Sequence, residues 1–115
     1  MQEPESFLPL TPAVFHILLA LSDGERHGYG IMQEIAWRTD GQVRMGPGTL
    51  YGSIKRMLAD GLIEELEARP DSAGDERRRY YHLTNLGQRV VRAEASRLHQ
   101  LVRVARAKQV LQGDA

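Results

Sequence analysis

The residues that could do chemistry are few, and most fail the spacing that chemistry requires. Histidines stand at 16, 27, 82 and 99, with no metal-ligand spacing and no HExxH arrangement among them. Gly46-Pro47-Gly48 lacks the Lys-Ser/Thr that completes a phosphate-binding loop. Ser53 lies in Gly-Ser-Ile-Lys, neither a nucleophile elbow nor a Ser-x-x-Lys pair. No acid, base or nucleophile constellation survives, so the sequence points away from an enzyme and calls for no metal or cofactor. Two basic groups remain, Lys55-Arg56 and Arg77-Arg78-Arg79. Their chemistry is that of binding an anion.

The whole chain has 115 residues, 42% apolar and 26% charged, with no cysteine and a formal net charge of zero. Those values suit one ordinary globular domain without disulfides, expected in the cytoplasm. No apolar run approaches the roughly 18 residues of a membrane span, and the acidic start is unlike a signal peptide. The zero net charge conceals a pattern. Residues 1–25 carry four acids and no Lys or Arg, whereas 26–60 hold five bases against three acids. Residues 61–85 are acidic again, with four bases against six acids, and 86–115 hold six bases against two. Local clusters set the field at a surface, so a polyanionic partner remains open.

The elements that must position these cations follow from periodicity. Thr11-Pro12 is a cap followed by a first-turn proline, and Val14, Ile17, Leu18 and Leu21 continue at helical spacing, predicting a helix over 12–22. His27-Gly28-Tyr29-Gly30 opens a second helix, capped by His27 or leaving it free to meet a phosphate, with Ile31 and Ile35 inward and Thr39-Asp40-Gly41 as its stop. A third begins at Pro47, buries Leu50, Ile54, Met57 and Leu58, and closes at Asp60-Gly61. Residues 62–67 and 79–83 read as two strands around a turn-rich loop over 69–75. Thr84 then caps a last helix of about 26 residues, a length read from its unbroken pattern.

Three helices followed by a hairpin make a mainly α (α+β) winged helix-turn-helix with a two-stranded wing. In that arrangement the third helix enters a major groove. Its face opposite the apolar arc carries Gly52, Lys55 and Arg56, with Thr49 and Ser53 at the flank. Glycine on an exposed helix face costs about 1 kcal/mol relative to alanine, so its place there suits close approach by a partner. Small residues beside one or two cations suit a groove floor, where Lys or Arg reaches guanine. A solvated helix face is the bland alternative for the pair. In the wing, Arg77, Arg78 and Arg79 either meet phosphates or pair with the acids at 64, 65 and 67; both hold if Arg79 is paired and Arg77 and Arg78 are free.

The last helix carries a seam through Leu86, Val90, Ala93 or Glu94, Arg97 or Leu98, Leu101 and Ala105, widened by Val91, Val102 and Val104. Its own domain can absorb only the first two turns, so a partner helix is expected, giving a homodimer. Trp37, the one tryptophan, reads as a core or interface residue ahead of a platform for an effector. The domain plan is an arm over 1–10, a winged helix over 11–84, and a dimerisation helix with a short tail over 85–115. A protein-interaction module built on the same fold, without sequence-specific DNA binding, is the alternative function.

Several of these stretches together resemble one family. His27-Gly28-Tyr29-Gly30-Ile31, Gly46-Pro47-Gly48-Thr49-Leu50-Tyr51 with Arg56-Met57, Asp60-Gly61-Leu62-Ile63, and Arg79-Tyr80-Tyr81-His82-Leu83-Thr84 with Gly87 look like the PadR family of bacterial transcriptional regulators. The resemblance covers roughly residues 10–90, and the single C-terminal helix is similar to the short subfamily. It implies a dimeric repressor of a pseudo-palindromic, double-stranded operator, released by a small aromatic effector. It also implies phosphate contacts by Tyr51 and Tyr29, a reading helix over 47–60, a wing over 69–79 and a dimerisation helix over 85–111. Some short members hold flat drugs between tryptophans on the last helix; here that helix has no aromatic residue, which leaves the effector open.

Overall fold

The computed structural model describes residues 2–70 and 77–112. After a short 3-10 turn at Pro4–Phe7 come α1 (Pro12–Ala20), β1 (Arg26–His27), α2 (Gly28–Arg38), α3 (Pro47–Ala59), β2 (Ile63–Pro70), β3 (Arg77–Leu83) and α4 (Asn85–Ala107). The mainly helical winged fold expected from the sequence is present, with one strand more than foreseen. β1 pairs with β3, so the antiparallel sheet has three strands in the order β1-β3-β2. Two residues are too short for an alternation signal, which is why β1 was not legible.

The helix starts form as their cap residues dictate. Thr11 Oγ1 accepts from the Val14 amide at 3.2 Å, and Thr84 Oγ1 from the Gly87 amide at 3.0 Å. His27 caps α2 through Nδ1, which accepts from the Gly30 amide at 2.9 Å. At the end of α3 the Gly61 amide bonds to Leu58 O and the Leu62 amide to Met57 O. That pairing needs a left-handed residue, and Gly61 supplies it with φ of 78°.

The core joins Ile17, Leu18, Ile31, Ile35, Leu50, Ile54, Met57, Leu62, Ile63, Tyr81, Leu83 and Val90. The first three helices and the sheet therefore share one apolar centre, and α4 enters it only at its beginning. Gly87 lies so close to the Leu62 carbonyl that a Cβ there would overlap the oxygen. Arg38 ties α2 to α1, bonding both Glu34 carboxylate oxygens at 2.9 to 3.1 Å and reaching His16 Nδ1 at 3.1 Å. Burial and then the Arg38 charge hold His16 below the usual histidine value.

Several boundaries differ from the sequence reading. α1 ends at Ala20 rather than 22, and the strands extend to 63–70 and 77–83. α4 runs 23 residues, not about 26. Beyond its cap Gln109 turns left-handed at φ of 62°, and the Val110 and Leu111 amides fold back to Ala105 O. Among the described residues no helix is long and apolar enough to cross a membrane, and no group of three or more His, Cys, Asp or Glu could hold a metal ion.

Candidate nucleic-acid interface

α3 sets the site by burying one arc. Leu50, Ile54 and Met57 point into the core, which turns Thr49, Tyr51, Gly52, Lys55 and Arg56 outward, with Ser53 half-buried at the margin. A Cβ at Gly52 would meet nothing within 4 Å, so the space in front of this helix is open. The result is a face of small groups and two cations.

Beside it lies a cleft of about 390 Å³ lined by His27, Gly28, Tyr29, Tyr51, Arg78, Arg79 and Tyr81. Gly28 is what lets the cleft form: a Cβ at that position would collide with the ring and hydroxyl of Tyr51. Tyr29 and Tyr51, about half-exposed, thus come together from two helices. Tyr81 is buried at the base, where desolvation and then the Glu65 carboxylate push its phenol above the usual tyrosine value. Its hydroxyl stays protonated at neutral pH.

The wing side brings a correction. Arg79 pairs with Glu65 at 3.5 Å, as one of the two sequence readings had it. Arg78 is not free. Its guanidinium lies 5.5 Å from the Tyr29 ring centre, and its Nη1 sits 3.3 and 3.4 Å from the two His27 ring nitrogens. Tyr80 meets His27 edge-on at 5.2 Å. The cause is β1: pairing of His27 with Tyr80 places the start of α2 directly beside the wing strand. The sequence offered no signal for this: it left His27 as a cap or a phosphate contact, and Arg78 as a phosphate contact or a partner of the hairpin acids. The Arg77 side chain and the tip at 71–76 lie outside the described residues.

The α4 seam divides in two. Val90 is wholly buried in its own chain, which removes it from a dimer surface, while Leu86 packs on the same core and stays half-buried. The reason is that α4 packs against the Pro4–Phe7 turn, α1 and β3. Leu98, Val102 and Ala105 are half-buried, and Leu101 and Val104 are exposed at 53% and 44%. Glu94, in the middle of the helix, is almost fully buried, accepting from the Leu10 amide at 2.8 Å and from the Arg97 guanidinium. The Arg97 hydrogen bond holds its carboxyl below the usual carboxylate range against the opposing effect of burial.

Of the two readings of Trp37, the core one is corrected: the side chain is 83% exposed in the single chain. α2 turns Gly28, Ile31 and Ile35 inward, and 100° per residue carries position 37 to the opposite side.

Within this arrangement the exposed groups offer cations, hydroxyls and stacking faces, the groups that bind an anion. Comparison with known proteins agrees. Residues 17–93 match the Transcriptional regulator PadR-like family. The transcriptional regulator Rv3488 of Mycobacterium tuberculosis is 33% identical over 88 residues, which cover 76% of this chain and 77% of that protein. An uncharacterized 37.1 kDa protein in transposon TN4556 of Streptomyces fradiae is 36% identical over 85 residues, 74% of this chain; the matched stretch spans 22% of that longer relative. A PadR family transcription regulator from Clostridium difficile shares the fold with a TM-score of 0.72 at 23% identity, covering 86% of this chain and 99% of that one. Bacillus subtilis PadR, in complex with operator DNA, shares it with a TM-score of 0.63 at 20% identity, covering 74% and 47%. By the match across most of its length and the residues that carry it, the chain belongs to the PadR-like family of transcriptional regulators, not of enzymes.

Proposed function

We propose that this regulator is a homodimeric repressor that binds double-stranded operator DNA in the cytoplasm and is released by a small-molecule effector. The observation that carries the DNA reading is the exposed α3 face, where Thr49, Gly52, Lys55 and Arg56 front open space beside the Tyr29–Tyr51–Arg78 cleft. Lys55 and Arg56 supply base contacts, and the tyrosines with Arg78 and Arg79 supply phosphate contacts. The likeness in fold to Bacillus subtilis PadR, caught on its operator, supports the same reading.

The dimer reading rests on the later part of α4, where Leu98, Val102 and Ala105 are only half-buried and Leu101 and Val104 are exposed in the single chain. Its two-fold symmetry would set the two reading helices about one helical turn, ~34 Å, apart. On this reading residues 11–84 form the DNA-binding unit, 85–115 the dimerisation segment and 1–10 an arm.

A mobility-shift series with the DNA upstream of its own gene, run from low to high salt, tests the function. Sequence-specific binding that falls steeply with salt supports it. Absence of binding at low salt overturns it in favour of a protein-interaction module.

A further inference from the structure

α4 is one-sided in charge as well as in hydropathy. Residues 85–108 hold Arg89, Arg92, Arg97, Arg103, Arg106 and Lys108 against a single acid, Glu94. Glu94 is buried and taken up by Arg97 and the Leu10 amide, so it offers nothing to the surface. At 100° per residue, Arg89, Arg92, Ser96, His99 and Arg103 fall within an arc of about 80°, opposite the seam that runs from Leu86 to Ala105. All five are exposed. Along the axis the row from Arg89 to Arg103 is about 21 Å long. A dimer closed through the seam would leave this row in solvent.

Among the described residues, the Arg89, Arg92 and Arg103 side chains form no ion pair or hydrogen bond. Glu3 and Glu5 of the N-terminal arm share a hollow with Arg89 and Arg92, and Glu25 shares another with Arg92, without pairing with them. Even with these three added to Glu94, the six bases of α4 outnumber the carboxylates. Chemistry then selects the partner. Arginine presents a planar fork that matches phosphate oxygens. The arc carries no large apolar residue, so nothing on it could anchor a protein or enter a membrane. A nucleic-acid backbone needs no such anchor, because cations and hydroxyls alone contact its phosphates.

We propose that the outward face of α4 is a second DNA-contacting surface, which holds the phosphate backbone of a duplex without reading its sequence. Arg89, Arg92 and Arg103 bind phosphate oxygens, with Ser96 and His99 between them in the row as further donors. The surface is distinct from the α3 face: α3 packs on α1, α2 and β2, and α4 on the Pro4–Phe7 turn, α1 and β3. It stands whether or not α3 reads an operator.

The test uses the full chain carrying Lys55→Ala and Arg56→Ala, which removes the α3 cations, and a labelled duplex of scrambled sequence, about 20 base pairs long. Binding, read by fluorescence anisotropy across a salt series, should persist in this background and weaken as salt rises. Adding Arg89→Gln, Arg92→Gln and Arg103→Gln should lower the slope of log K against log salt by at least about 2, since each phosphate contact is worth about 0.9. Affinity at low salt should fall at least about tenfold, with helix content by circular dichroism unchanged. Arg89→Lys, Arg92→Lys and Arg103→Lys keep the charge and should keep the slope, which separates lost contacts from lost folding. Absence of duplex binding in the α3 double variant overturns the proposal, as does an unchanged slope in the glutamine variant. So does polyglutamate that competes as well as unlabelled duplex, because the face would then take any acidic chain.

Discussion

The Tyr51 ring of α3 rests on the bare Cα of Gly28 at the start of α2, so one contact couples α3 to the cleft beside the wing. Nothing else at position 28 would leave Tyr51 where it is. In Gly28→Ala the exposed ring can swing aside, so stability should change by no more than about 0.5 kcal/mol. DNA affinity should nevertheless fall about fivefold, roughly 1 kcal/mol, as the tyrosine hydroxyl leaves its place. Thermal unfolding and a mobility-shift titration of the same preparation separate the two effects.

Gly52→Ala should split stability from function in the opposite sense. The new methyl meets nothing in the protein, and helix propensity favours alanine by about 1 kcal/mol, so the variant should unfold at higher urea. Against DNA the same methyl stands where a groove floor must approach, and specific binding should weaken about tenfold. Unaltered binding would remove Gly52 from the interface.

Gly87→Ala meets backbone rather than a movable ring. Its Cβ would overlap the Leu62 carbonyl, which already accepts from the Thr84 amide at 3.1 Å and cannot turn away. α4 must then lift off the core, and urea unfolding should show a loss of about 2–4 kcal/mol.

Leu101 tests the dimer. It is half-exposed in the single chain, so Leu101→Glu should leave helix content by circular dichroism intact. In a two-fold dimer the charge would face its own copy, and sedimentation should then report a monomer at micromolar concentration. A wild-type chain that sediments as a monomer at that concentration would overturn the dimer outright.

Glu94 predicts an acid limb. Its folded carboxyl titrates below the unfolded value, chiefly through the Arg97 hydrogen bond. The stability this adds is complete above the unfolded value and is lost as pH falls through the folded one. Glu94→Gln should therefore be less stable than wild type at pH 7, with the difference shrinking below about pH 4. Urea midpoints at pH 7, 5 and 3.5 measure it.

Local rules made most of the scaffold legible. Thr11, His27 and Thr84 cap helices because each side chain needs only an amide three residues on, and Gly61 ends α3 because its left-handed turn is a property of one residue. The apolar arc of α3 likewise fixed which of its residues face out, since 3.6-residue periodicity is local too. The placement of Arg78 was not legible. A two-residue strand brought His27 across 51 positions to the wing, and only that pairing decided that the cation lies over Tyr29. The core reading of Trp37 failed because hydrophobicity favours burial on average while helix phase decides each case, and α2 spent its inner face on Gly28, Ile31 and Ile35. The order of elements, the caps and the outward face of α3 were thus written in neighbouring residues. The Gly28–Tyr51 and Gly87–Leu62 contacts and the division of α4 at Glu94 came from long-range packing, which no local pattern encodes.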